Sequence, residues 1–400
     1  MENSLICSLP MIGYMNIDQF RSGKMSGELV NSGGDIAFKP DTLPPEIEMD
    51  DELLDVFTQA TNNIGQLSGV GRRVENPSML ISPFIYKEAV VSSEIEGTRV
   101  TLSDVYEYEA GQENDPSGPS RNELKEVHNY VRAVFEGIQK MENGIDLDLI
   151  RSLHNTLMSG VRGGDKKPGK FRDTQVYIGG RGEDARFVPS PPSVVPYAMQ
   201  NLETYIQTGG RYQSLIDIGL VHYQFETIHP FRDGNGRMGR LLIMMMMCDD
   251  DLLPEPFLYP SSYFNRNREE YTNRLLAVSR DNAWQEWLVF FLRGISQQTE
   301  EAFSRASALL DLRDDYRDRY QDDANSVSQL SMEIFAQPYI TVNEAKQMID
   351  MAYRTANKAV DRLEEDGVLE ETTGQSRNRV YRAKEVFDII QKPVDELQYR

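Results

Sequence analysis

His229-Pro-Phe-Arg-Asp-Gly-Asn-Gly-Arg-Met-Gly-Arg240 sets an imidazole, a carboxylate and an asparagine among closely spaced glycines and arginines. The residues before it, Leu220 to Thr227 (Leu-Val-His-Tyr-Gln-Phe-Glu-Thr), read as a helix that delivers the imidazole. Those after it, from Arg237 through Met247, read as a second, buried helix that begins where the glycines end. A glycine-rich turn entering a helix offers free backbone N–H groups and the positive end of a dipole, which together bind phosphate. Arg237 and Arg240 lie three positions apart and share a face. Polyphosphate is the ligand these parts fit.

Each side chain then has a chemical role. Asp233 is a hard oxygen ligand, suited to a magnesium ion bridging phosphate oxygens. Asn235 and the N–H groups around Gly234 and Gly236 would hold a phosphate as its charge rearranges. Arg237 and Arg240 would clamp the others with forked guanidinium geometry. His229 titrates near neutrality and is a natural general base for an attacking hydroxyl.

Two upstream stretches extend the pattern. Ser82-Pro83 predicts a helix start, and the run Phe84 to Glu96 meets Gly97 as its stop. Ser92 and Glu96 lie four apart on one face of that helix, about 83–97. Farther on, the β-rich runs Thr174 to Ile178 and Ala185 to Val188 flank a loop containing Gly179, Gly180 and Gly182, which predicts a hairpin.

The central string resembles the signature of the Fic family, His-x-Phe-x-Asp/Glu-Gly-Asn-Gly-Arg-x-x-Arg, with every fixed position filled. The resemblance implies a mainly α fold, an all-helical core with a small β-hairpin flap. It implies a nucleotidyltransferase that moves AMP from ATP, with Mg2+, to a hydroxyl of a target protein and releases pyrophosphate. On that likeness His229 is the base and Asp233 carries the metal. Gly234, Asn235, Gly236, Arg237, Met238, Gly239 and Arg240 hold the nucleotide. Doc-type relatives carry a lysine in the turn and transfer phosphate; here the turn is Gly234-Asn235-Gly236, which favours AMP. Other nucleotide or phosphocholine transfers occur on this scaffold and fit the motif too. Ser92-x-x-x-Glu96-Gly97 is similar to the family's inhibitory motif, which implies that Glu96 pairs with Arg240 in the place of the ATP γ-phosphate. The hairpin looks like the flap that binds an extended target segment. Val176, Tyr177, Ile178 and Gly179 would then line the nucleotide pocket, with the adenine near Asn265 and Tyr271.

The rest of the chain bounds this reading. Four hundred residues predict more than one domain. They divide into an irregular arm (1–45), a helical region (46–115), a core (120–295), a connecting helix (296–328) and a C-terminal unit (329–400). A net charge of −21 disfavours general affinity for nucleic acid or anionic membranes, and no apolar run is long enough to span a bilayer. Two cysteines, Cys7 and Cys248, and a start without a basic signal region predict a cytoplasmic protein. His154 reads as a packing residue. The C-terminal unit reads as a winged helix: Thr341-Val-Asn-Glu344 is a capping box, Tyr353 to Asp366 a second helix, and the wing surrounds Gly374. Arg354, Lys358 and Arg362, with Arg377, Arg379 and Arg382, form a basic stripe open to DNA. Eight acids balance eight bases over 339–384, so protein contact or homodimerisation also fits. A nucleotide-sensing, DNA-binding regulator is the alternative to the transferase.

Overall fold

The computed structural model describes residue 20 and residues 24–72, 78–111, 118–161, 166–180 and 185–396. Cys7, most of the N-terminal arm, the polar break at 112–117 and Gly182 of the flap loop lie outside the described residues.

Helices dominate, as the sequence predicts. The first group is α1 (Asp51–Gly71), α2 (Ser78–Ile95), α3 (Leu102–Glu109), α4 (Arg121–Lys140), α5 (Leu147–Leu157) and α6 (Val195–Gln207). The central pair is α7 (Ser214–Ile228) and α8 (Asn235–Asp249), followed by α9 (Ser261–Arg266), α10 (Arg268–Asp281) and α11 (Trp284–Tyr320). Side-chain caps start several of them. Asp50 accepts from the Leu53 N–H, and the pairs Thr101–Asp104 and Ser120–Glu123 form reciprocal capping boxes. Both α7 and α8 are buried on nearly every face, so apolar residues run through them without an exposed stripe. Gly219 lets α7 and α11 pack closely: a Cβ there would stand 3.0 Å from Leu288 and Phe291 of α11.

The structure corrects four expectations. The arm is not irregular throughout, because β1 (Gly27–Ser32) and β2 (Asp35–Pro40) form an antiparallel hairpin. Its turn, Gly33-Gly34, takes positive φ at both glycines, which is the backbone a two-residue hairpin loop requires. The flap, by contrast, is a single bridge between Ile178 and Phe187 rather than two strands. It borrows order from the hairpin: Phe38 N–H donates to Val188 O at 2.9 Å, and Phe20, Phe38, Phe187 and Val188 share a small core. Helix α2 starts four residues before Ser82 and carries Pro83 inside it. The connecting helix begins at Trp284, well inside the core, because Trp287, Leu288 and Phe291 are buried against α7.

Beyond α11 lie α12 (Asn325–Glu333), β3 (Tyr339–Thr341), α13 (Val342–Met348), α14 (Tyr353–Glu365), β4 (Leu369–Glu371), β5 (Val380–Ala383) and α15 (Lys384–Gln391). The three strands form an antiparallel sheet in the order β3-β5-β4. Thr341 and Glu344 make the expected capping box. This unit does not stand apart: one apolar cluster runs from Leu53 to Ile390, and Tyr106 of α3 stacks on Tyr339 of β3 at 5.6 Å.

Candidate active site

Helix α7 ends at His229, whose backbone is left-handed (φ 52°, ψ 61°). That turn aims the ring away from the helix. Its Nδ1 bonds to the Glu226 carbonyl oxygen at 3.2 Å, and an acceptor there requires Nδ1–H. Nε2 is thereby left as the basic nitrogen. Burial and the nearby Arg172 guanidinium push the imidazole down to about 4, so the ring is neutral at physiological pH.

Arg172 is the residue that builds this turn. Buried at 2 % exposure and without a carboxylate partner, it donates to the carbonyls of Ile228 and His229, the latter at 2.7 Å, and to Thr174 and Ser190. A cation on the last carbonyls of a helix is favourable both as a donor and against the dipole.

The loop from Pro230 to Gly234 is closed from within. Asn235 accepts from Phe231 N–H at 2.8 Å and donates to Phe231 O at 2.9 Å. Its amide therefore shapes the turn rather than pointing at a ligand. His154 completes the bracket: Nδ1 accepts from Gly169 N–H, so Nε2–H donates to Asp233 O, and the ring stacks on Phe231 at 3.6 Å. The expected packing role of His154 is thus a positioning role. Gly234 adopts φ 76°, and the first intrahelical bond of α8 runs from Met238 N–H to Gly234 O. The N–H groups of Asn235, Gly236 and Arg237 precede that bond and open the helix.

Arg240, at 1 % exposure, meets the end of α2. Its Nε donates to Ser92 Oγ, and Nη2 donates to Ser92 O and Glu96 Oε1, each at 2.8 Å. Helix α2 stops there in a Schellman arrangement. Thr98 N–H returns to Ser93 O, Gly97 N–H returns to Glu94 O, and Gly97 sits at φ 100°. Glu96 is the resulting C-cap residue, a place where the helix dipole disfavours an anion. Burial also pushes its carboxyl up, yet Arg240, with Arg237 behind it, holds the pKa below the ordinary value. The carboxylate lies over the opening of α8: a Cβ on Gly236 would fall 2.3 Å from Glu96 Oε1.

A cavity of about 700 Å³ joins these groups. Its polar lining includes Glu96, Glu226, His229 and Arg240, with Arg186, Arg268 and Glu269, and its apolar lining includes Ile178, Phe187, Leu275 and Leu276. Gly236, Gly179 and Tyr271 also border it. Tyr271 is fixed by a 2.7 Å bond to His222 Nε2, and His222 Nδ1 bonds to Gly239 O. Other expected residues stand elsewhere. Arg237 is paired with Glu126 of α4 at 3.3 Å, and Met238 is wholly buried. Tyr177 turns to Asp35 of the hairpin. Asn265 and Val176 do not border the cavity, because α10 rather than α9 forms that wall. Asp233 does not border the cavity; its carboxylate is bonded to Gly234 N–H and to Lys166.

Glu226 was not anticipated. It lies in the last turn of α7, three residues before His229, and borders the same cavity. Burial drives its carboxyl up to about 7, and its Oε1 has no hydrogen-bond partner among the described residues.

Comparison with known proteins bears on this geometry. Residues 54–139 match the Fic/DOC family N-terminal model, and residues 144–247 match the Fic/DOC family model. The chain belongs to the Fic/DOC family. It is 30% identical over 194 residues to a protein of Aquifex aeolicus (strain VF5) described as "Probable protein adenylyltransferase", covering 47% of this chain and 53% of that one. It is 36% identical over 121 residues to a protein adenylyltransferase Fic of Drosophila grimshawi, covering 30% of this chain and 22% of the fly protein. This Fic/DOC chain therefore spans about half the length of the first relative and about a fifth of the second. A crystal structure of a Fic family protein from Desulfovibrio desulfuricans G20 shares the fold, with TM-score 0.56 and 20% identity over 86% of this chain and 98% of that one.

Proposed function

We propose that the chain is an autoinhibited protein adenylyltransferase of the cytoplasm, moving AMP from ATP to a hydroxyl of a target protein. One observation carries the reading: a neutral His229, its basic Nε2 unpaired among the described residues, shares a cavity with the opening of α8 and with Arg240. In the proposed step Nε2 takes the proton of the target hydroxyl. That oxygen bonds to the α-phosphorus of ATP, the bond to the β-phosphate oxygen breaks, and pyrophosphate leaves. The first N–H groups of α8 stabilise the charge that develops on the phosphates.

Asp233 fits a magnesium ion. Its pKa is lowered: burial raises it, but Lys166 and Arg237 outweigh that, so the carboxylate is ionised. One carboxylate plus substrate phosphates is an ordinary Mg2+ environment. When bound, the ion would neutralise phosphate charge; Lys166 would have to release Asp233 to admit it.

Glu96 supplies the restraint, since it occupies the Arg240 fork that a terminal phosphate would otherwise take. Intact-mass spectrometry after incubation with Mg-ATP and cell lysate tests the whole reading. Glu96→Gly should label itself or a lysate protein with AMP at least tenfold more than wild type, and Glu96→Gly/His229→Ala should abolish it. A phosphate-sized adduct, or equal labelling in the double variant, would reject it.

The DNA-binding alternative gains less support. Within its stripe Arg362 is bridged to Asp366 at 2.9 Å and faces Asp323, and Arg382 is bridged to Glu370. Arg354, Lys358 and Arg377 remain exposed.

A further inference from the structure

Behind α2, on the side of that helix served by α15, lies a second cavity of about 400 Å³. Val91, Thr98, Arg99 and Ile390 border it together with Lys87, and Glu94 lies at its exposed edge. Two largely buried polar groups there, Lys87 and Thr98, lack what burial normally demands, and the exposed Arg99 stands at the mouth. Lys87 donates one N–H to Ile390 O at 3.1 Å and faces the Tyr259 ring at 4.9 Å; among the described residues no carboxylate is in ion-pair contact with it, and the more distant Glu301 is set against the cations Arg305 and Arg266. Arg99 has no ion pair among the described residues. Thr98 is 7 % exposed, and its Oγ1 has no hydrogen-bond partner. A largely buried ammonium without a directly paired carboxylate is costly; burial, with Arg305 nearby, pushes Lys87 down to about 7 despite Glu301.

We infer that this cavity binds a small carboxylate with an apolar body, its anionic head between Lys87, Arg99 and Thr98 and its hydrocarbon against Val91 and Ile390. A ligand that fills the cavity as it stands favours the state in which it exists. That state holds Glu96 on Arg240, so the ligand would deepen restraint, a consequence that rests on the inhibitory reading of α2.

Calorimetric titration of the full chain with octanoate tests binding without any transfer assay. Saturable one-to-one binding is expected, at least tenfold weaker in Lys87→Met and in the surface variant Arg99→Gln, and retained in Glu96→Gly. Octylamine, with the same tail and opposite charge, should not bind. Because Lys87→Met removes an uncompensated buried charge, its melting temperature without ligand should not fall. Saturating octanoate should lower the residual transfer of wild type and leave Glu96→Gly unaffected. Absence of saturable binding, equal binding by Lys87→Met and Arg99→Gln, or equal binding of octylamine would overturn the proposal.

Discussion

A histidine that must accept a proton works only while neutral, and His229 is held neutral by its surroundings. The sign of its pH dependence follows: transfer persists above the imidazole pKa and is lost as pH falls through it. With that pKa near 4 rather than 6.5, the acid limb of transfer by Glu96→Gly should lie near pH 4 to 5. A limb between 6 and 7, measured as initial rate at saturating Mg-ATP, would show that the ring is solvated in turnover. Most of this site was legible because His229 to Arg240 is one uninterrupted string whose residue types each need the others. Arg172 was not legible, since what it does is defined by carbonyls fifty-six and fifty-seven positions away. The partner that diverts Arg237, Glu126, is more remote still, 111 positions away. No local pattern marks such a pairing.

On the proposed reading, helix ends carry the regulation. Ser92 and Glu96 were readable from their spacing, but only the fold shows that Gly97 and Thr98 wrap back to place the carboxylate. A side chain at Gly97 would have to adopt φ 100°, a strain of roughly 1–2 kcal/mol. Gly97→Ala should therefore loosen the cap and raise transfer above wild type, by less than Glu96→Gly does; no change in labelling rate would mean that the cap does not position Glu96. The hairpin taught a different lesson. Gly33-Gly34 between Glu28-Leu-Val30 and Ile36-Ala-Phe38 is a two-residue turn flanked by strand residues, a signal that a Gly- and Ser-containing arm obscured. The flap was overcalled as paired strands because its own ladder is one bridge, and much of its support comes from β2.

Charge and composition bound the molecule without revealing how its parts are joined. The C-terminal unit looked separable because helix and turn signals recur there with their own caps. Yet Tyr106, Tyr339 and Phe387 pack together, and Lys87 and Arg305 both donate to the last turn of α15. A continuous core predicts one cooperative unfolding event. Differential scanning calorimetry should give a single peak with calorimetric and van't Hoff enthalpies in agreement; two resolved peaks would restore an independent C-terminal domain. The 37-residue helix α11 has a consequence of another kind. At 1.5 Å per residue it is a rod about 55 Å long, with Trp287 beside the nucleotide cavity's support and Tyr320 bonded to Asp366 of the C-terminal unit. A rod of that kind works as a ruler. On the proposed transferase reading, a client that grips the Tyr320 end of that rod would offer to His229 only those hydroxyls that lie a fixed reach from its grip, so distance as well as local sequence would select the residue modified.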